Sequence, residues 1–123
     1  MVQIIEGSDK SPEIIVDAGN SFIAFRGVCF PEAAARLFDP VLSLVKEITD
    51  YKKAIHMTFE LKYFNSVSSV YLLKLFVQVA TALRGENTYI EWRFDPEDED
   101  NRKKGEFFAE LSGLHFQFVP SRA

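Results

Sequence analysis

Five consecutive residues near the middle of the chain, Asn65-Ser66-Val67-Ser68-Ser69, concentrate side chains that could carry a reversible modification. They lie where an alternating, strand-like pattern ends and an apolar, helix-like pattern begins. A serine hydroxyl there can take a phosphate, which brings roughly −1.5 to −2 charges at pH 7. The simpler role is helix capping, since Asn65 or Ser66 can accept a hydrogen bond from a free first-turn amide, worth about 1 kcal/mol. One cap needs one residue, and four polar side chains crowd this turn, so we expect an exposed hydroxyl besides the cap.

The other polar residues do not form a catalytic motif. The sequence contains neither of the usual glycine-rich phosphate loops and no GxSxG nucleophile elbow. His56 and His115 fall on the polar faces of predicted strands without a Cys or second His at ligand spacing, so we interpret them as solvated. The acidic run 95–100 lacks the glycine that an EF-hand loop needs and suits the first turn of a helix. We expect a protein without enzymatic activity, metal or cofactor.

Size and charge narrow the class of protein. The 123 residues fit a single domain, 1–123, and 47% hydrophobic residues are enough for a real core. The formal net charge of −4 disfavours nucleic-acid binding, which needs a basic surface.

Cysteine usage and hydropathy indicate the compartment. Cys29 is the single cysteine, so no intrachain disulfide forms. Residues 1–10 lack the basic and apolar regions of a signal peptide. The most apolar stretch, 67–83, is interrupted by Lys74 and Gln78, so we interpret it as a buried helix and expect no membrane insertion. We expect a cytoplasmic protein.

Residue periodicity predicts nine elements in the order β-β-β-α-β-α-β-α-β. The predicted strands are 2–5, 13–16, 22–25, 55–64, 88–95 and 114–118, and the predicted second and third helices are 67–83 and 97–111. The first helix is predicted to begin at Pro31 and Glu32, and Pro40 is predicted to divide its first turn from the rest. In the strand 55–64, alternation places Tyr63 on the buried face and Phe64 on the polar face.

These elements predict an α/β fold. Strands separated by helices imply parallel crossovers, and the strands 13–16 and 22–25 imply an opening β-hairpin whose Gly19 and Asn20 suit positive φ. Three strands each have one polar face, so helices are expected on one side only. The expected architecture is a two-layer sandwich with a mixed, mostly parallel sheet and helices on one face. The other face is left to water or a partner and could support a homodimer.

Several segments resemble the SiaC family of bacterial regulatory phosphoproteins, which is similar in fold to the STAS domains of anti-sigma-factor antagonists. The segments that carry the resemblance are Phe30-Pro31-Glu32, the strand 59–66 with its Tyr-Phe-Asn-Ser ending, the helix start 69–76, the strand 91–95 around Trp92, and the stretch 105–110. Their order and spacing cover nearly the whole chain.

The resemblance implies a phosphorylation switch. In that family a Ser or Thr directly after the Asn is phosphorylated by a partner kinase, and a metal-dependent serine/threonine phosphatase removes the phosphate. The unphosphorylated form binds and activates a diguanylate cyclase, raising cyclic di-GMP. By position the phosphoacceptor is Ser66, with Ser68 and Ser69 as fallback acceptors. The partner-binding surface implied is Tyr63, Phe64, Asn65, Ser66, Val67, Ser68, Ser69 and Val70.

Three positions beside this switch depart from the family pattern. Val67 interrupts the serines, Val70 stands where a Lys is common, and Lys74 occupies a position that is often acidic. These differences leave the choice of partner open.

Two alternatives remain at this stage. The chain could act as an anti-anti-sigma-type antagonist that binds an anti-sigma kinase. It could also be a small ligand-binding domain that uses the polar sheet face around His56, Glu60, Arg93 and His115. A deep pocket on that face would favour the latter.

Overall fold

A computed structural model describes residues 2–121, so Met1, Arg122 and Ala123 lie outside it. The strands within that range are β1 (Val2–Ile5), β2 (Glu13–Asp17), β3 (Phe22–Cys29), β4 (Ile55–Phe64), β5 (Thr88–Phe94) and β6 (Phe116–Pro120). The α-helices are α1 (Ala34–Lys52), α2 (Ser66–Leu83) and α3 (Glu99–Ser112). The predicted order of elements is therefore confirmed.

The six strands form one sheet in the order β1-β2-β3-β4-β5-β6. The pairs β1–β2 and β2–β3 are antiparallel, and the pairs from β3 through β6 are parallel. Parallel neighbours joined in chain order by right-handed crossovers place their connecting helices on the same side of the sheet. The predicted two-layer α/β sandwich, with an opening hairpin and one open sheet face, is confirmed.

The opening hairpin turns differently from the prediction. Asp17 caps the turn by accepting hydrogen bonds from the backbone N–H and the side-chain Nδ2 of Asn20, at 3.3 and 2.8 Å. The left-handed residue is Ser21, with φ 53°, and neither Gly19 nor Asn20 has positive φ. Strand β3 also continues four residues beyond the predicted end at Phe25. Residues 27–29 pair with β4 alone, and such a long-range partner cannot be recognised locally.

Helix α1 starts at Ala34, so the prediction that it begins at Pro31 and Glu32 was wrong. The prediction that Pro40 divides it was also wrong, because the helix runs unbroken through Pro40. A proline at this position removes the hydrogen bond to the carbonyl of Arg36. Arg36 and Pro40 are both exposed, so water can satisfy the freed carbonyl.

The core lies between the sheet and the three helices. Its centre is a group of packed aromatic rings in which Phe59, Phe76, Trp92, Phe108 and Phe116 have centroids within about 6 Å of their neighbours. Strand β5 supplies Trp92, and α2 and α3 supply Phe76 and Phe108 from above. This packing fixes where α2 starts relative to the end of β4, and so positions the serine cluster.

Candidate functional site at the start of the second helix

Asn65 caps the N-terminus of α2. Its extended backbone (φ −85°, ψ 176°) lets the side-chain Oδ1 accept a hydrogen bond from the backbone N–H of Ser68 at 2.9 Å. Its own N–H donates to the carbonyl of Cys29 at 3.2 Å, which ties the cap to the end of β3. Because Asn65 does the capping, the hydroxyl of Ser66 is not needed for this role.

The three serines differ sharply in exposure. Ser66 is the first residue of α2 and is exposed, whereas Ser69 is partly buried. Ser68 is 0% exposed, and its hydroxyl has no hydrogen-bond partner among the described residues. It lies beside the buried Cys29 without reaching hydrogen-bond geometry. Burial raises the pKa of the Cys29 thiol, and the nearby Ser68 hydroxyl only partly opposes this rise. Solvent therefore reaches Ser66 in this structure, but not Ser68.

A β-bulge at the end of β4 reverses the orientations of Tyr63 and Phe64, the two residues before the cap. Leu61 pairs with Gly27 and Tyr63 pairs with Val28, so Lys62 is an extra residue opposite the break. The alternation then shifts by one, which turns Tyr63 outward (52% exposed) and Phe64 inward (3% exposed). The prediction that Tyr63 is buried and Phe64 lies on the polar face was wrong for this reason.

The two aromatic side chains are held by different neighbours. Tyr63 packs edge-on against Phe30 with ring centroids 5.5 Å apart. Phe64 packs against Trp92 and Phe108, each at 5.9 Å, and the Lys104 ammonium lies 5.0 Å from the centre of the Phe64 ring. Of this pair, Tyr63 is available to a partner and Phe64 supports the surface from below.

The chain matches one family model over residues 5–121, that of the SiaC family regulatory phosphoproteins. This chain belongs to the SiaC family. Its fold matches SiaC of Pseudomonas aeruginosa with a TM-score of 0.84 at 20% identity, covering 98% of both chains. Apo-SiaC from the same organism matches with a TM-score of 0.87 at 21% identity, covering 97% of this chain and 98% of that one.

A third match is to a complex. A chain in the crystal structure of the diguanylate cyclase SiaD with its activator SiaC, from Pseudomonas aeruginosa, has a TM-score of 0.89 at 21% identity. The match covers 97% of this chain and 99% of that one. At this identity the structures establish the shared fold. A search of curated protein sequences gave no significant match.

In this SiaC-family chain, Val67, Val70 and Lys74 lie on the surface of α2. Val67 is 54% exposed and Val70 is 63% exposed. Lys74, also exposed, places its ammonium 5.6 Å from the centre of the Tyr71 ring. Val67 and Val70 are three residues apart on one helix, so they form an exposed apolar pair beside Ser66.

Sequence reasoning missed part of this surface. Phe107 and Leu111 on α3 are 57% and 50% exposed, and Val77 on α2 is 44% exposed. The available signal was helical spacing, because Val70 and Val77 are seven residues apart and Phe107 and Leu111 are four apart. Spacing alone does not show that Val70 and Phe107 line one groove between the two helices.

Helix α2 is also the one described helix long and apolar enough to span a membrane, with a mean hydropathy of 1.5. Core helices of globular proteins pass the same test. Its inner face packs into the core through Ser68, Leu72, Leu75, Phe76, Val79 and Leu83. Gln78, which interrupts the apolar stretch, donates a hydrogen bond to the Leu42 carbonyl of α1 at 2.9 Å.

The acidic run after β5 organises the start of α3. The Asp95 side chain accepts a hydrogen bond from the Glu97 N–H at 2.9 Å, and Asp98 caps the helix by accepting from the Asn101 N–H at 3.1 Å. Glu99 and Asp100 lie in the first turn, where they interact favourably with the helix dipole. The helix-start interpretation of this run is confirmed. Within residues 2–121 there is no cluster of three or more His, Cys, Asp or Glu suited to a metal.

Of the four polar residues predicted to share the open sheet face, Glu60 and Arg93 line the same hollow, and the two histidines do not. Glu60 lies 3.6 Å from Arg26 and accepts a hydrogen bond from Ser121 at 2.5 Å. Arg93 donates to Glu91 at 2.6 Å, and this hydrogen bond raises the pKa of the arginine.

The two histidines lie elsewhere on that face. His56 is stacked edge-on against Phe22 and Tyr89, and His115 contacts Gln117. The open hollow of about 270 Å³ on this face has no histidine in its lining. In this hollow Arg26 pairs with Glu60 and Arg93 pairs with Glu91, and the hollow is open, unlike the deep pocket that would favour a ligand-binding domain.

Proposed function

We propose that this chain is a non-enzymatic, phosphorylation-controlled activator of a diguanylate cyclase, and that Ser66 carries the phosphate. The proposal rests on the different roles of two residues at the start of α2, where Asn65 caps the helix and Ser66 does not. Asn65 holds the cap at 2.9 Å from the Ser68 N–H, which leaves the exposed Ser66 hydroxyl for modification. Membership of the SiaC family of regulatory phosphoproteins supports the same role.

Phosphorylation at Ser66 changes charge without disturbing the fold. A kinase transfers the γ-phosphoryl group of ATP to the Ser66 oxygen. The bond between the γ-phosphorus and ADP breaks, a new O–P bond forms at Ser66, and the hydroxyl proton is lost. The product sits at the first residue of α2, where the positive end of the helix dipole favours an anion. The fold therefore tolerates the phosphate, and its added negative charge acts on whatever docks beside it.

The unphosphorylated surface binds the cyclase. It presents the exposed side chains of Tyr63, Ser66, Val67 and Val70, while Phe64, Asn65 and Ser68 shape it from beneath. A phosphate placed at the edge of a partly apolar interface opposes binding through its desolvation cost and through repulsion of partner carboxylates. A metal-dependent serine/threonine phosphatase restores the binding form, and the cycle operates in the cytoplasm. The diguanylate cyclase SiaD, which forms a complex with its activator SiaC in Pseudomonas aeruginosa, is a precedent for the cyclase partner.

The test begins with the modification itself. Intact mass and site mapping on protein purified from its host should show one phosphate on Ser66, lost in Ser66→Ala and retained in Ser69→Ala. Ser69 is the matched control because it is three residues along the same helix and partly exposed. Phosphate that persists in Ser66→Ala would contradict the assignment.

The partner is tested separately. Ser66→Ala should co-purify with a diguanylate cyclase and raise its rate of cyclic di-GMP synthesis, and Ser66→Asp should do neither. Recovery of an anti-sigma kinase in place of the cyclase would show that the anti-anti-sigma alternative is correct. Equal cyclase activation by both variants would overturn the proposed switch.

A further inference from the structure

The open sheet face carries its side chains in three rows across the strands. Alternate residues of each strand are buried against the helices, so the residues between them share the open face. The first row lies at the N-terminal ends of the parallel strands and is aromatic. In this row His56 packs edge-on against Phe22 and Tyr89, with ring centroids 5.2 and 4.6 Å apart.

Apolar side chains continue from the aromatic row toward the β1 edge of the sheet. Ile4 pairs in register with Ile15, and Ile15 with Ala24. Val2 and Ile4 are 53% and 61% exposed, and Tyr89 in the aromatic row is 42% exposed. Parallel strands such as β3 through β6 normally have both faces of their sheet covered. An exposed apolar area on such a sheet indicates that a second surface covers it.

The third row lies at the opposite end of the same strands and alternates in charge. Glu13 pairs in register with Arg26, and Arg26 with Glu60. Arg93 occupies the next place on β5 and lines the same hollow as Glu60. From β2 to β5 the charges are therefore negative, positive, negative and positive. The side chains of Arg26 and Arg93 are 69% and 41% exposed in spite of their ion pairs, so guanidinium N–H groups remain for another acceptor.

This order of charges is complementary to itself. Two copies can stack face to face about a two-fold axis that runs parallel to the strands, between β3 and β4. Strand β2 of one copy then lies over β5 of the other, and β3 lies over β4. Arg26 faces Glu60 of the second copy, Glu13 faces Arg93, and the symmetry repeats each contact. An axis perpendicular to the strands would instead place the charged row on the aromatic row.

The face is large enough for a stable dimer. Six strands about 4.8 Å apart make it about 29 Å wide. The three rows span five residues of a central strand, such as 22–26 of β3, which is about 17 Å at about 3.3 Å per residue. Two such faces offer about 1,000 Å² of flat area, and the relief of the side chains adds to it. A face-to-face dimer therefore falls in the range of roughly 1,200–2,000 Å² that stable interfaces bury.

We propose that the open sheet face is the interface of a homodimer, in which the charged rows of two copies pair Arg26 with Glu60 and Glu13 with Arg93. The apolar area and the aromatic row supply the desolvated part of the contact, and the charge order sets its orientation. The helices lie on the other side of the sheet, so the dimer leaves both copies of the exposed Ser66 accessible. The dimer is thus compatible with the proposed function but does not rest on it.

The first measurement is the mass of the full chain in solution. Sedimentation velocity between about 1 and about 500 µM should show a concentration-dependent doubling of the mass, since an interface at the small end of the stable range dissociates near micromolar concentrations. Arg26→Glu should raise the dissociation constant by roughly tenfold or more, because each single substitution creates two like-charge contacts. Arg36→Glu makes the same charge change at an exposed site of α1 and should leave the dimer unchanged.

Mixing variants tests the orientation of the two copies. Glu60→Arg alone should weaken the dimer as Arg26→Glu does, but an equal mixture of the two variants should form a heterodimer, because every facing pair again has opposite charges. Glu13→Arg mixed with Arg93→Glu should behave in the same way. Arg26→Glu mixed with Glu13→Arg should not recover, because those positions do not face each other. Recovery on mixing also shows that each variant is folded.

The contrary results are distinct. A chain that stays monomeric up to about 500 µM overturns the homodimer, and any other occupant of the face would leave the purified chain in that state. A dimer that Arg26→Glu weakens no more than Arg36→Glu does is formed by another surface. A dimer that neither mixture restores is not docked in the proposed orientation. None of these results bears on Ser66, and loss of cyclase activation in an intact dimer would overturn only the proposed function.

Discussion

The indole Nε1 of Trp92 donates a hydrogen bond to the side-chain Oδ1 of Asn101 at 2.9 Å, inside the core. Asn101 in turn donates from Nδ2 to the backbone carbonyl of Leu61 at 2.7 Å. One buried amide therefore joins α3 to β5 and to β4 just before the bulge that turns Tyr63 outward. This bridge holds α3 in register with the end of β4, and so fixes one wall of the groove beside Ser66.

Removing the bridge should destabilise the protein. Asn101→Ala removes the amide partner of the Leu61 carbonyl and leaves the Trp92 N–H only its 3.2 Å hydrogen bond to the backbone carbonyl of residue 101, so we expect a loss of about 1–3 kcal/mol in the free energy of unfolding. Chemical denaturation measures this loss. Asn20→Ala is the control because Asn20 is an exposed asparagine that bonds only within the hairpin turn, and its effect should be much smaller. Similar losses in the two variants would contradict the role given to Asn101.

Gly105 should not tolerate even one methyl group. A Cβ at this position would lie 2.7 Å from Trp92 Nε1, and the indole is held by the core. Alanine normally gains up to about 1 kcal/mol over glycine in a helix. We expect Gly105→Ala to destabilise nevertheless, by about 1–3 kcal/mol, because overpacking outweighs the helix propensity. Thermal unfolding of Gly105→Ala against Lys103→Ala, an exposed site on α3, checks the sign. A stabilised Gly105→Ala would show that Trp92 can move away.

Stability measurements should distinguish the capping residue Asn65 from Ser66, the proposed phosphoacceptor. Asn65→Ala removes the acceptor for the Ser68 N–H and should cost about 1 kcal/mol. Ser66→Ala should change stability by less than about 0.5 kcal/mol because the hydroxyl is exposed and is not the cap. Urea denaturation of the two variants provides the comparison. If Ser66→Ala proves the more destabilising change, the hydroxyl has a structural role that conflicts with its assignment as a free phosphoacceptor.

Cys29 should react only when the protein opens. It is buried with 0% exposure, and burial raises the pKa of its thiol, so the native protein presents almost no thiolate at pH 8. Alkylation by iodoacetamide should therefore be slow in buffer and fast in denaturant. Rapid labelling of the native protein would show that the region around Ser68 opens easily.

The raised pKa of the Cys29 thiol also makes the stability of the protein depend on pH. The unfolded thiol loses its proton at a lower pH than the folded one, so this contribution to stability is present below the unfolded pKa and declines as pH rises above about 9. The decline should be shallower in Cys29→Ala, as measured by urea denaturation between pH 8 and 10. Equal slopes would mean that the thiol titrates alike in both states.

Local sequence patterns were sufficient for most of the fold. The strict alternation in β4 and β5 predicted two strands with one buried face each, and this held for β5 and for residues 55–61 of β4 because side-chain direction in a strand follows from residue parity. Gly113 marked the end of α3 correctly, with φ 74° at the C-cap, since glycine accepts the left-handed conformation at little cost. The apolar stripe of α1 also packs as predicted, and only its start and the effect of Pro40 differed.

By itself the sequence determined the α/β order, the single open sheet face, the family and the position of a hydroxyl-rich turn, because these depend on neighbouring residues or on spacing along one element. The tertiary structure decided which hydroxyl is accessible. Ser66 and Ser68 are two residues apart, but one faces water and the other faces Cys29, since a helix rotates by about 100° per residue. It also decided that Tyr63 faces outward, because the bulge depends on pairing with Gly27, and that Val70 meets Phe107 across a groove, because two helices distant in sequence pack side by side.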